Sequence, residues 1–380
     1  MRIVLVGGGT GGHFYPLIAV AEAIEDICLE RTLIEPELFY IGPPAFDAEA
    51  LLEHDIAYVP TTAGKVRRYR SILNVLSVFA NALGVVRSLV QLFHLYPDAV
   101  FSTGGYAAFP TLFAARILRI PVIIYDADAS PGRVSLWSSK FAEWIAIAHP
   151  AAAAKFPAKV RDRIAAVGHP VRKEILEPAK EGGHEFLKLD TSIPTVFIMG
   201  GSQGAVSVNQ VVLDALPSLL SQFNVVHQAG TANLAETSNI ASVILKDSRY
   251  TERYKIFGLL NTLALRMTAG ITTLIVARAG SGTIFEIANW GLPAILVPIP
   301  EDVSHDQTEN AFSYARSGAA VVIEQRNLSP HLLVAEIQRI AGDAALRTKM
   351  SEAARTFARP DAARKIALTL LETAISHEPR

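Results

Sequence analysis

The sequence predicts an α/β protein built from two doubly wound, Rossmann-like domains in tandem. Short β-rich runs alternate with longer helical patterns along the whole chain. The runs are apolar without a break, as strands of a parallel sheet covered on both faces are. The alternation opens with a strand ending in glycines, RIVLVGGGTGG (2–12), and restarts with another, PTVFIMGG (194–201). A length of 380 residues is too great for one ordinary core and suits two domains.

In the first half, RIVLV (2–6) leads to a helix expected from about Pro16. LFYIG (38–42), AYVP (57–60) and DAVFSTGG (98–105) follow, then a helix from about Pro110, PVIIYD (121–126) and WIAIAH (144–149). In the second half, a helix runs through Leu220. NVVHQAG (224–230), YKIFGLL (254–260), TTLIVARAG (272–280), AILVPIP (294–300) and AAVVIEQ (319–325) come after it. The join is expected near VGHPVRKEILEPAKEGG (167–183), where Pro, Gly and charge concentrate. A last helix, roughly Ala362 to Ser376, follows Arg359-Pro360, and the proline there suggests a kink.

Composition narrows the function. Half the residues are hydrophobic and the net charge is −1, so no global basic field points to nucleic acid. One cysteine, Cys28, excludes a disulfide framework and fits a reducing cytosol. The apolar run before the first glycines is too short for a signal peptide. No unbroken run of about 18 apolar residues appears, so no transmembrane helix is expected. Mean hydropathy is nonetheless high, +0.29, which suggests apolar surface meeting something other than water.

In open α/β sheets ligands bind at the carboxyl ends of strands. Glycine clusters fall at such ends, at 7–12, 104–105, 200–204 and 280–282, and are expected around one cleft between the domains. Gly7, Gly9 and Gly12 satisfy G-x-G-x-x-G, but the second strand, LFYIGPP, lacks the acid that holds a dinucleotide ribose. His13-Phe14 stands where an ATPase loop needs Lys-Ser or Lys-Thr. The glycines alternatively serve only close helix packing. His13 lies at a helix mouth, where the dipole disfavours its charged form, so it is a candidate general base or, more simply, a loop cap.

The stretch ARAGSGTIFEIANWGLPAILVPIP (277–300) carries the nucleotide signal. Amides of Ser281, Gly282 and Thr283 at a helix start suit an anion. Glu286, one turn in, leans back toward that end and can reach ribose hydroxyls. Alternatively it pairs with Arg278 or supports the cap. GGSQGA (200–205) is a second loop of this kind, in which Ser202 completes a diphosphate cradle.

No acidic residue occurs between Asp55 and Asp98. Lys65, Arg67, Arg68 and Arg70 surround Tyr69 just before an apolar helix. Its polar positions, Asn74, Ser77, Asn81, Gly84, Ser88 and Gln91, form one narrow stripe. The helix body is read as a domain helix with little exposure. The basic cluster suits an anionic leaflet.

GGGTGGHFYP, STGGY, VGHPVR, GGSQGA and RAGSGTIFEIANWGLP, in this order and spacing, resemble the inverting glycosyltransferases of family 28. These move GlcNAc from UDP-GlcNAc to the muramyl lipid intermediate of peptidoglycan. The resemblance spans roughly Met1 to Gln325. It implies a GT-B fold, with two Rossmann-like domains facing a cleft. The acceptor and the membrane would meet residues 1–172, and the UDP-sugar residues 173–360. The helix at 361–380 would return to the first domain.

By the same resemblance, Glu286 holds the ribose and Ser281, Gly282 and Thr283 the phosphates, with Ser202 and Arg172 supporting the diphosphate. The backbone of Leu260 reads the uracil edge. Asp306 and Gln307, ahead of Asn310, hold the donor sugar, and Thr10, Gly11 and Gly12 count with the donor ligands. Gly9, His13, Tyr106 and Asp128 fall on the acceptor side, and His13 or Asp128 is the catalytic base. Tyr125-Asp126-Ala127-Asp128 replaces the family's His-Glu-Gln-Asn, and Asp306 replaces the first of two glutamines. Both changes lie where sugars sit. DADAS (126–130) has Asp-x-Asp spacing but lies away from the expected diphosphate, so neither an obligatory metal nor a cofactor is expected. The implied partners are UDP-GlcNAc, the undecaprenyl-linked muramyl-pentapeptide and an anionic membrane surface, at the cytoplasmic face of the plasma membrane. Two alternatives stay open: a related transferase with another lipid or small-molecule acceptor, and a non-catalytic nucleotide-sugar-binding partner.

Overall fold

The computed structural model describes residues 1–8, 10–65, 72–201, 204–300 and 307–377, the side chains of 72 and 73 excepted. The chain divides into two compact units. One comprises Met1–Lys173 with Arg359–Arg380, the other Glu174–Ala358.

The first unit is a seven-stranded parallel sheet. Its strands are β1 (Arg2–Val6), β2 (Glu37–Gly42), β3 (Ala57–Pro60), β4 (Ala99–Ser102), β5 (Val122–Asp126), β6 (Trp144–Ile147) and β7 (Ile164–Ala166). Their spatial order is β3-β2-β1-β4-β5-β6-β7. Chain direction across the sheet reverses between β1 and β4, so the loops after these strands flank the switch point. Ile3, Val4, Leu5 and Val6 are all buried, which is why β1 reads as an unbroken apolar run rather than an alternating one. Strand β7 was not anticipated. It is a three-residue edge strand, partly exposed, and has little apolar signal.

The first helix runs Gly11–Arg31, so it begins within the glycines and not at Pro16 as expected. The Thr10 carbonyl accepts from the amides of His13 and Phe14, both at 3.2 Å. Pro16 forfeits only one early hydrogen bond.

Helix Ile72–Leu95 corrects a second expectation, because its polar stripe faces inward. Ser88 Oγ meets the hydroxyls of Thr61 at 3.3 Å and Thr111 at 3.2 Å. The Asn81 side chain exchanges hydrogen bonds with the Gly64 backbone at 2.8 and 3.1 Å. Ser77 Oγ donates to the Lys65 carbonyl at 3.0 Å, and Gln91 Nε2 to the Pro60 carbonyl at 2.9 Å. At Gly84 a Cβ would stand 2.0 Å from the Thr62 carbonyl oxygen, so only glycine fits there. The stripe satisfies the backbone of the 60–65 loop, and the apolar face is left outside. Phe79 is 69% and Phe93 70% exposed, and Val75, Leu76, Val78, Leu83, Val86 and Val90 are exposed beside them. Over Asn74–Leu95 mean hydropathy is 1.6, long and apolar enough to cross a membrane, which no unbroken-run count had revealed. It is the one such helix among the described residues.

The second unit repeats the plan with six parallel strands. These are β8 (Thr195–Met199), β9 (Asn224–Gln228), β10 (Tyr254–Phe257), β11 (Thr272–Ala277), β12 (Ala294–Leu296) and β13 (Ala320–Val322). Their order is β10-β9-β8-β11-β12-β13, with the switch point between β8 and β11. Val196, Ile198, Val225, Leu274, Val276 and Ile295 form one face of its core against helix Val206–Leu220 and helix Pro330–Gly342. Helix Ala344–Phe357 closes this unit. After a break at Pro360, helix Ala362–His377 packs on helix Gly11–Arg31 of the first unit, where Arg364 Nη1 donates to Glu30 Oε1 at 2.9 Å.

Candidate functional site

The site residues in the first unit gather at the carboxyl ends of β1, β4, β5 and β6. His13 is the third residue of its helix. Its Nδ1 lies 2.9 Å from the Thr103 carbonyl oxygen. A carbonyl only accepts, so Nδ1 carries a proton, and the ring in its neutral form keeps its lone pair at Nε2. Thr103 Oγ1 donates back to the His13 carbonyl at 2.6 Å. Gly105, at φ +78°, lets the following loop lie against the imidazole, since a Cβ there would stand 3.2 Å from His13 Cδ2. Tyr106 comes next and is partly exposed.

The YDAD segment builds the other side. Asp126, the last residue of β5, is buried; its Oδ1 accepts from the Asp128 amide at 3.2 Å and its Oδ2 from the Gly132 amide at 3.1 Å. Burial first, and the Asp128 charge second, push its pKa up to about 7. Tyr125 hydroxyl and His169 Nδ1 are 2.7 Å apart. Burial holds His149 neutral, down to about 4, and His169 down to about 3, the latter also opposed by His149 and His13. Asp128 was expected here. Asp126, His149 and His169 were missed, although HPV and WIAIAH each place a histidine just past an apolar run.

Arg172, expected at the diphosphate, stacks over the Tyr15 ring at 4.3 Å. Tyr15 meets Phe46 edge-on, and Phe46 lies beside Gly11. Thr10, Gly11, Gly12, His13, Tyr106, Asp128 and Arg172 thus all belong to the first unit.

In the second unit Ser281, Gly282 and Thr283 form the first turn of helix Ser281–Trp290. Its N-cap is Gly280, with no side-chain cap, so the helix presents its amides at the β11 end. Glu286 is half-buried one turn further in. Arg278 donates to the Val297 carbonyl at 3.1 Å and to Ser207 Oγ at 3.1 Å, tying together the loops after β8, β11 and β12. Gln307 Oε1 accepts from the amides of Ala279 at 3.3 Å and Ile299 at 3.2 Å, and Asn310 Nδ2 donates to the Ala279 carbonyl. Gln307 therefore ties the loop after β11 to the loop after β12 through its oxygen. The Leu260 amide is already engaged, donating to Gln228 Oε1 at 3.0 Å.

Gly9, Ser202, Asp306, Arg67, Arg68 and Arg70 lie outside the described residues. Lys65 is exposed. No cluster of three or more His, Cys, Asp or Glu side chains disposed to hold a metal ion occurs among the described residues.

Two parallel α/β units, each with glycine loops at its switch point, define a protein of the GT-B class. The chain belongs to glycosyltransferase family 28: the family's N-terminal domain matches residues 3–147 and its C-terminal domain residues 195–366. It is 33% identical over 346 residues to the UDP-N-acetylglucosamine–N-acetylmuramyl-(pentapeptide) pyrophosphoryl-undecaprenol N-acetylglucosamine transferase of Treponema denticola, covering 87% of this chain and 86% of that one. The enzyme of the same name from Legionella pneumophila is 34% identical, over 89% of this chain and 88% of its own. Among solved structures, Acinetobacter baumannii MurG superposes with a TM-score of 0.72 at 24% identity, covering 98% of this chain and all of that one. A UDP co-structure of Staphylococcus aureus MnaA gives 0.70 at 13% identity over 100% and 99%. These two likenesses speak to the fold alone.

Proposed function

We propose that this chain transfers GlcNAc, with inversion, from UDP-GlcNAc to undecaprenyl-pyrophosphoryl-MurNAc-pentapeptide in peptidoglycan synthesis. Family membership and the named relatives support the reaction. The fixed tautomer of His13 is the observation that supports the assignment of roles. The muramyl O4 hydroxyl gives its proton to His13 Nε2 as its oxygen bonds to the anomeric carbon. The bond from that carbon to the diphosphate oxygen breaks, and UDP leaves with the electron pair. One displacement turns an α-linked donor into a β-linked product. The charge gathering on UDP meets the amides of Ser281, Gly282 and Thr283, with no reorganisation needed as it develops. Glu286 accepts from the ribose hydroxyls. Asp128, held through its amide by Asp126, orients the acceptor rather than taking its proton.

The exposed apolar face of helix Ile72–Leu95, preceded by Lys65, Arg67, Arg68 and Arg70, supports peripheral docking on an anionic leaflet at the cytoplasmic face. A lipid-linked acceptor needs such a face. UDP release measured with and without the lipid acceptor tests the reaction. Release that requires the acceptor supports it, and release indifferent to the acceptor overturns it.

A further inference from the structure

We propose that the amino end of the second unit's sheet holds a separate anion site, built for a phosphate group that carries its own O–H. The site centres on Asn224, the first residue of β9. The loops assigned above to UDP follow the carboxyl ends of the strands, about 13 Å away along β9.

Asn224 is fully buried. Its Nδ2 donates to the carbonyls of Asp190 at 2.9 Å and Ile193 at 3.0 Å. Turning the carboxamide over would set oxygen against two carbonyl oxygens, so its orientation is fixed. Oδ1 is left as a buried acceptor with no hydrogen-bond partner among the described residues. Such an atom costs free energy until a donor reaches it.

Asn224 lines a cleft of about 550 Å³ whose other walls are cationic. The guanidiniums of Arg249 and Arg253 stack on the Tyr250 ring, 4.7 and 4.4 Å from its centroid, and Lys188 adds a third positive charge. Arg253 is anchored, since its Nη1 donates to the Leu220 carbonyl at 2.9 Å. Two carboxylates also line the cleft, and both are engaged elsewhere. Glu252 pairs with Lys255 at 3.4 Å, and Asp190 Oδ1 accepts from the Ser192 amide at 2.9 Å and its hydroxyl at 2.7 Å. No ion pair engages Lys188, Arg249 or Arg253 among the described residues.

Stacked guanidiniums beside an ammonium suit an oxyanion. A fully ionised oxyanion only accepts, and would leave Asn224 Oδ1 unpaired. Hydrogen phosphate supplies both halves of the match: oxygens for the three cations and an O–H for the carboxamide oxygen. Sulfate has the same shape but no proton to give near neutral pH. A site with a preset acceptor rejects the ligand that cannot donate to it, so Asn224 selects phosphate over sulfate.

The test is phosphorus NMR of inorganic phosphate and of glycerol phosphate with the full-length protein, near neutral pH and at fixed ionic strength. Sulfate is the competitor, and saturating UDP occupies the nucleotide loops. The variants are Lys188→Gln with Arg249→Gln, both exposed, and Asn224→Leu. Thermal melting without anions shows whether each folds. The wild type is expected to bind phosphate about tenfold or more tighter than sulfate, as a hydrogen bond to a charged group allows. The double variant should melt as the wild type does and bind phosphate about tenfold or more weakly. In folded Asn224→Leu, phosphate should fall to the level of sulfate. Where Asn224→Leu does not fold, the wild-type preference and the double variant decide. Tighter binding of glycerol phosphate names a phosphomonoester as the ligand, and the reverse names free phosphate; either supports the site while sulfate stays weaker. Equal affinity for phosphate and sulfate in the wild type, or phosphate binding untouched in the double variant, overturns the proposal.

Discussion

His13 Nδ1 and the Thr103 carbonyl oxygen are 2.9 Å apart, across a sequence separation of 90 residues. The contact joins the first turn of helix Gly11–Arg31 to the loop after β4 at the switch point, and it leaves Nε2 as the basic atom. His13→Ala is therefore expected to lower kcat by roughly 10²–10⁴-fold while KM for UDP-GlcNAc changes little. Asp128→Asn should act chiefly on KM for the lipid acceptor. Steady-state kinetics of the two variants separate the roles, and a larger kcat loss at Asp128 than at His13 would reverse them.

The inverted helix Ile72–Leu95 makes an unusual pair of expectations. Ser88 is fully buried between two threonine hydroxyls, so Ser88→Val should cost about 1–3 kcal/mol by leaving them unpaired. Phe79→Ser with Phe93→Ser should leave the melting temperature nearly unchanged and reduce sedimentation with anionic vesicles. A helix packed by its apolar face would give the opposite pattern.

Asp126 carries a pH signature. Its folded pKa is raised to about 7, against 3.8 ordinarily. Between those values the folded chain holds a proton that the unfolded chain has lost, so its contribution to stability falls as pH rises from about 4 to about 7. Asp126→Asn removes that slope. Melting temperatures across this range should show the variant gaining on the wild type as pH increases. Parallel curves would mean that the carboxyl ionises normally in the fold.

Glu286→Gln keeps the size of the side chain and removes its charge. If Glu286 accepts from the ribose hydroxyls, KM for UDP-GlcNAc should rise about tenfold or more, consistent with about 1.5–3 kcal/mol for a hydrogen bond to a charged group. A shift in melting temperature with KM unchanged would instead mark Glu286 as a support for its helix.

Much of the fold was legible because parallel strands buried on both faces write their burial as short apolar runs. Of the thirteen strands among the described residues, only β7 was too short and too exposed to signal itself. The start at Gly11 was hidden by Pro16, which lies inside the helix in its second turn rather than at its first position. The orientation of helix Ile72–Leu95 was not legible because a narrow polar stripe on an apolar helix ordinarily marks the solvent side. Here the partners of that stripe are the backbone of the 60–65 loop and the Thr111 hydroxyl, which local sequence does not reveal. The glycine turns, His13 and Glu286 announced themselves by motif. Asp126, His149 and His169 did not, because strand register and distant loops bring them together.

Product analysis with labelled UDP-GlcNAc and the undecaprenyl-linked muramyl-pentapeptide tests the central claim most directly. The account expects a single labelled lipid bearing a β-linked GlcNAc on the muramyl O4, formed by the wild type and nearly absent with His13→Ala. An α-linkage, or label passing to a simple lipid or aglycone while the muramyl lipid stays unchanged, would contradict it.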